Sequence, residues 1–270
     1  TINYSPQIPQ LNLLALPFFI AAQPDRYKAL DAITGGKTGA LIGKAIEAKG
    51  AKFLGYGENG FREMTNSKLD IRKPGDLKGM KFRVVGSPLF LDIFSALGAN
   101  PTAMAWADTM SAIQQGVIDG QENPINTFYP LRVNEYHKFI TNWHYMADPT
   151  LFVVNPGVWQ SFSPADQALI LQAVKDAGTY QKALSRCGID ENDGGANLKY
   201  LQSIKMAPEG TVTDWAAKLR GEGISFVDLT PAETKAFVDA TKSVYEKWEK
   251  EIGADLMKAA REDMAAVAKK

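Results

Sequence analysis

The run Gly55-Tyr56-Gly57-Glu58-Asn59-Gly60, entered from a short apolar stretch, has the G-x-G-x-x-G spacing of loops that cradle a dinucleotide pyrophosphate. That chemistry needs a helix directly after the glycines, because the helix N-terminus supplies the amide donors and the positive dipole end. The next residues, FREMTNSKLDIRKPG, are too few, too polar and too soon interrupted by Pro74 to be that helix. The acidic residue expected about twenty positions on to hold the ribose is absent, since that neighbourhood is Met80 and Lys81. An NAD-dependent oxidoreductase is therefore a minor alternative. A turn that needs glycine dihedrals is the expected structure.

Other reactive constellations are weaker. GGKTGALIGK lacks the G-x-x-x-x-G-K-[ST] spacing of a phosphate loop and sits inside a helical pattern. There is no G-x-S-x-G elbow. His137 and His144 lack H-E-x-x-H spacing and a further ligand cluster, so no metal is expected, and both read as packed or surface residues. Cys187 is the only cysteine, which excludes an intramolecular disulfide and a thiolate cluster. No nucleophile, base and orienter can be assembled, so no catalytic residue and no cofactor is expected. Arg83, in MKFRVVG, does suggest chemistry. A strand covered on both faces is normally apolar on both. An arginine there needs an acceptor: a structural carboxylate, a surface position, or a ligand anion held by the guanidinium fork.

The elements that must position such residues can be read in outline. Thirty basic residues balance thirty acidic ones, so the overall field favours neither nucleic acid nor an acidic membrane. The most apolar segment, 11–22, is too short for a membrane span and contains Pro17. Residues 27–50 carry a helical stripe broken at Gly35-Gly36 and lead into a strand over 51–55. A second strand over 80–85 is followed by Ser87 and Pro88 at the N-cap and first position of a helix that Gly98 terminates. Asp108 reads as the cap of a short helix, and VIDGQENPI as a turn or strand edge, because Pro124 forces its predecessor towards extended geometry. Ser163 and Asp166 open the longest helical pattern, which falters at IDENDGGAN and implies a kink or break there. Thr230, Pro231 and Glu233 form a capping box ahead of Phe237, Val244, Trp248 and Ile252, and the chain ends in a good helix former. Alternating strands and helices indicate an α/β fold.

The stretch GMKFRVVGSPLFLDIFSALGANPTAMAWADTMSAIQQGVIDGQENP resembles the signature region of the extracytoplasmic solute-binding proteins of tripartite ATP-independent periplasmic (TRAP) transporters, the dicarboxylate-binding-protein family. The similarity extends through PQLNLLALPFF and GFREMTNSK upstream, and through HKFITNWHY and LFVVNPGVWQSFSPADQALI downstream.

This resemblance implies a two-domain flytrap of the periplasmic-binding-protein type, with a long bent helix crossing both domains. Domain I would comprise 1–60 plus about 149–188. Domain II would comprise 61–148 plus about 189–240, with C-terminal helices over about 241–270 packing across both. It implies a periplasmic, monomeric receptor rather than an enzyme, in a mature form whose signal peptide is not in this chain, with a TRAP permease as membrane partner. By the same resemblance, Arg83 is the principal carboxylate-binding residue, Arg62 a second ligand-facing arginine, Asn123 a carboxylate-holding amide, and Trp106 an aromatic wall of the cleft. Glu122 and Asp108 are nearby polar residues read first as structural. Family members usually have a strand, helix, strand and second helix before the equivalent of LNLLALPFF, so an N-terminal segment is expected to be absent here. The expected ligand is a hydroxy- or sugar-acid monocarboxylate, with a C4-dicarboxylate or 2-oxo acid as the alternative. In this reading the glycines of GYGENG form a hinge approach that delivers Arg62 to an anion site.

Overall fold

The computed structural model describes residues 2–189, 195–207 and 211–268. Eight strands are present among them: β1 (Lys52–Phe61), β2 (Glu63–Asn66), β3 (Lys81–Val84), β4 (Asn100–Ala103), β5 (Gly120–Asn123), β6 (Phe139–Asn142), β7 (Ala147–Val154) and β8 (Ser225–Asp228). The helices are α1 (Arg26–Gly35), α2 (Lys37–Glu47), α3 (Pro88–Ala96), α4 (Trp106–Gln114), α5 (Ile125–Phe128), α6 (Pro156–Ser161) and α7 (Pro164–Arg186). They continue with α8 (Ala196–Ser203), α9 (Trp215–Gly221), α10 (Pro231–Ala240), α11 (Lys242–Ile252) and α12 (Ala254–Ala268).

The strands form two sheets. One has six strands in the order β4-β3-β5-β2-β6-β8, and the other pairs β1 with β7 antiparallel. The chain passes directly between them at Arg62, which alone separates β1 from β2, and at residues 143–146 between β6 and β7, and it returns to the six-stranded sheet at β8. A backbone hydrogen bond from Arg62 N to Met146 O ties the two passages together. His144, in the second passage, takes a positive φ of 48°.

The six-stranded sheet is covered on both faces. Phe82, Val84 and Met64 pack with Phe90 and Phe94 of α3, Trp143, Tyr145 and Phe237. Ile140 and Phe226, on the opposite face, pack with Ile113 of α4, Phe128 of α5 and Leu219 of α9. A separate core gathers Leu11 to Leu16, α1, α2 and α12 around Phe61 and Ala147.

Several local readings hold. The stripe before Gly50 is two helices split at Gly35-Gly36. Ser163 accepts from Asp166 N at the start of α7. The Thr230–Glu233 capping box is complete. Others need correction. Asp108 is not a cap: α4 begins at Trp106 behind Ala105, and Asp108 lies in the first turn. In VIDGQENPI, residues 117–119 bend, but GQEN is not an edge, since β5 lies inside the sheet with all four residues buried, and Pro124 stands just beyond its end. The long helix ends at Arg186, and the IDENDGGAN break falls mostly on residues 190–194, which lie outside the described residues.

GYGENG is also not a turn. It runs inside β1, whose next strand starts one residue after its end, so the helix a dinucleotide loop needs is absent here. The glycines serve close packing instead. A Cβ on Gly57 would stand 1.9 Å from Gln181 Oε1 and 2.5 Å from Thr150 Oγ1, and one on Gly178 of α7 would stand 2.5 Å from the Tyr56 carbonyl oxygen. Only Gly60 of the three in that run has a positive φ, 108°. There β1 is irregular before it hands over to Arg62. Arg186 locks the end of α7 to both Glu58 of β1 and Asp31 of α1, with its guanidinium 4.7 Å from the Tyr27 ring centroid.

Candidate functional site

β3 is parallel to β4 and β5, so the loops leaving these strands converge on one edge of the sheet. In open α/β sheets the crevice outside the carboxyl ends of parallel strands is where ligands bind. Arg83 stands on β3 opposite Gln121 of β5 and Thr102 of β4. Trp106 opens α4 immediately after β4, and Asn123 ends β5.

The Arg83 side chain is buried without a carboxylate partner. Its Nε and Nη2 donate to the carbonyl oxygen of Met104 at 3.0 and 2.7 Å. Trp106 covers the guanidinium, with the ring centroid 5.3 Å from Cζ. Nη1 is buried and has no hydrogen-bond partner. Burial lowers the Arg83 pKa to about 10, and the like charge of Arg62 acts in the same sense, while Glu122 opposes both. It remains protonated at neutral pH. A buried, charged donor with an empty N–H is costly unless something anionic completes it.

Arg62 is differently placed. Nε and Nη2 donate to the Glu122 carboxylate at 2.5 and 2.8 Å, Nη2 also to the Glu122 carbonyl oxygen at 2.8 Å, and Nη1 to Asp148 Oδ2 at 2.9 Å. Tyr145 adds a hydroxyl donor to Glu122 at 2.7 Å. Burial works against the charge of Arg62, yet Glu122 and Asp148 outweigh it and raise its pKa. Since Glu122 belongs to the six-stranded sheet and Asp148 to β7, Arg62 bridges the two sheets at the crossing.

Asn123 Nδ2 donates to Gln121 Oε1 at 2.7 Å. The two histidines are both packed. His137 Nδ1 meets Thr65 Oγ1 at 2.8 Å, and His144 Nδ1 lies 2.5 Å from Glu63 Oε1. Thus Arg83 and Trp106 are in contact, Asn123 sits two residues along β5 from Arg83's neighbour Gln121, and Arg62 is held by carboxylates beside them. Glu122 binds Arg62 and Tyr145, and Asp108 is exposed at the surface. Tyr145 and Asp148 carry no sequence signal for their part in this cluster. Gln121 could have been suspected from its alternation with Asn123 in GQEN. Two concavities of about 630 Å³ each lie elsewhere, one lined by Arg26, His144 and Arg220, the other by Asn126, Gln181 and Trp215.

A family model for bacterial extracellular solute-binding proteins, family 7, matches residues 1–190. The chain belongs to this family. It is a periplasmic solute receptor of the TRAP type and not an enzyme. No helix among the described residues is long and apolar enough to cross a membrane. The chain is 32% identical over 263 residues to the 2,3-diketo-L-gulonate-binding periplasmic protein of Escherichia coli, covering 96% of this chain and 71% of that one. A TRAP periplasmic solute-binding protein from Ralstonia eutropha, solved with bound (S)-2-hydroxy-2-methyl-3-oxobutanoate, is 46% identical, with a TM-score of 0.83 over 100% of this chain and 78% of that one. Another from Sulfurospirillum deleyianum, with bound succinate, is 27% identical, with a TM-score of 0.75 over 96% and 76% of the two chains. The mixed α/β architecture with two sheets is that of these family structures.

Proposed function

We propose that this receptor captures a small organic acid through a single carboxylate salt-bridged to Arg83, and passes it as a monomer to a TRAP membrane permease. The observation that carries this reading is the buried, unpartnered Nη1 of Arg83 beside the Trp106 ring. A carboxylate there completes the guanidinium with charge-assisted hydrogen bonds. Trp106 supplies a flat apolar wall, and Asn123 an amide at the end of the neighbouring strand. Arg62 faces two carboxylates of its own and has no positive charge to spare for a second anionic group. This supports a monocarboxylate bearing hydroxyl or oxo groups over a dicarboxylate. Relatives that bind 2,3-diketo-L-gulonate and 2-acetolactate lend the same support. Arg62 then acts at the rim of the site, fastening the two sheets where the chain crosses between them.

The two passages at Arg62 and 143–146 serve as the hinge between a domain of 1–60 with about 149–188 and a domain of 61–148 with about 189–240. The helices over about 241–270 pack across both. Ligand contacts made better in the closed form bias closure. Calorimetric titration of wild type and Arg83→Ala with (S)-2-acetolactate, galacturonate and succinate tests the assignment. Arg83→Ala weakens binding of the preferred acid at least about a hundredfold, ~2.7 kcal/mol. Unchanged affinity with an unchanged melting temperature refutes it.

A further inference from the structure

The face of the six-stranded sheet that packs under α4, α5 and α9 carries an unusual polar row. Register places Arg83 of β3 beside Gln121 of β5, and Gln121 beside Thr65 of β2. Gln121, Thr65 and His137 are each at most 1% exposed, and Asn123 is 5% exposed. A covered sheet face normally holds apolar side chains, and buried polar groups are costly unless joined to one another. These are joined in series. Asn123 Nδ2 donates to Gln121 Oε1 at 2.7 Å, Gln121 Nε2 donates to Thr65 Oγ1 at 2.8 Å, and Thr65 Oγ1 lies 2.8 Å from His137 Nδ1.

We propose that Gln121, Thr65 and His137 are positioning residues that act through Asn123, forming one directed hydrogen-bond chain that fixes which way its carboxamide faces the ligand. This rests on the reading of Asn123 as a ligand contact. The chemistry of each group sets the direction. The carboxamide oxygen of Gln121 is used by Asn123, so its NH2 group must face Thr65. The Thr65 oxygen accepts that bond, and because Gln121 and His137 are the two partners of this buried hydroxyl, its proton has an acceptor only if His137 Nδ1 takes it. The His137 ring is then neutral, with its proton on Nε2, a buried atom with no hydrogen-bond partner, which costs less than leaving the Thr65 hydroxyl and the Nε2 lone pair both unmet. Burial keeps it in that form, since it lowers the His137 pKa to about 4 against a smaller opposing effect of Asp119.

Turning Asn123 over would set its Oδ1 against Gln121 Oε1. The turn is tolerated only if Gln121 turns too, Thr65 reverses its hydroxyl, and His137 moves its proton to Nδ1. A choice at the ligand is thus held in place by a histidine three side chains away. In the forward direction Asn123 offers the ligand one N–H and its Oδ1, a donor and an acceptor together. That pair fits an acid with a hydroxyl beside its carboxylate. In the reversed direction it would offer two N–H groups, which suits a carboxylate alone.

Two measurements on the full chain test this. In ligand-free, 15N-labelled protein near pH 7, His137 shows an unprotonated Nδ1 and a protonated Nε2. Thr65→Val changes that signature, and Thr65→Ser restores it. A protonated Nδ1 in wild type overturns the directed chain whether or not any ligand binds. In the second measurement, calorimetry with (S)-2-acetolactate, Gln121→Met weakens binding about tenfold. In an Asn123→Ala background the same substitution adds no further loss. An equal loss in both backgrounds, with melting temperatures matched, means that Gln121 does not act through Asn123 and overturns the proposal. Failure of the underlying site reading looks different: Arg83→Ala and Asn123→Ala would both bind acetolactate as wild type does.

Discussion

The burial of His137 makes a quantitative statement about acid stability. His137 is 1% exposed, and burial lowers its pKa from an ordinary 6.5 to about 4. The unfolded chain therefore binds a proton between pH 6.5 and about 4 that the folded chain refuses. Unfolding free energy falls as the pH drops through that window, by up to about 1.4 kcal/mol per pH unit, and by ~3 kcal/mol in all. Below about pH 4 both states carry the proton, and this group costs nothing further. His137→Gln has no titrating group and keeps an amide within reach of Thr65, so its stability curve should be flatter over the window. Urea unfolding of both proteins at pH 7, 6, 5 and 4 measures the difference. Parallel curves over pH 6.5 to 4, or a His137 that titrates near 6.5 by NMR in the folded protein, would refute the reasoning. Asp31 affects a separate range. Burial raises its pKa, but its bonds to Arg186 and Lys182 outweigh that and lower it overall. Its contribution is therefore complete above the ordinary value of 3.8 and is lost only at lower pH.

Replacing Arg62 with Met leaves Glu122 and Asp148 buried without their cation. We expect a loss of about 3–5 kcal/mol of stability, read by urea unfolding, so loss of binding in this variant would follow loss of fold. Gly178→Ala drives a Cβ against the Tyr56 carbonyl oxygen and should push α7 off β1, costing roughly 1–3 kcal/mol; an unchanged melting temperature would mean that the helix can shift freely. Thr230→Ala removes a capping box at the exposed start of α10, and calorimetry should register a loss of about 1 kcal/mol with no change in ligand affinity.

Much of the local architecture was legible in the amino-acid order. The capping signals at Ser163 and Thr230, the Ser87-Pro88 helix start and the Gly35-Gly36 break rest on spacings of one to four residues, and each stands where the pattern placed it. The glycines of GYGENG misled because a glycine can serve a turn or a close approach equally well. Only the path of α7, more than a hundred residues later, shows that Gly57 makes room for Gln181. GQENP misled for a related reason. Pro124 announces an end of regular structure, but the depth of β5 in the sheet depends on β2 and β3 pairing with it from either side.

Periodicity, caps and ordered motifs are local properties of the chain, so the α/β class and the family could be read from residue order. Which arginine has carboxylate partners and which lacks them depends on how distant segments meet in the folded chain. Glu122 and Asp148 lie 60 and 86 residues from Arg62 and engage each of its three side-chain nitrogens. Arg83 finds a carbonyl and an aromatic ring, and one of its N–H groups stays empty. Charge pairing in a buried site is set by distances in space, and separation along the chain carries no record of them.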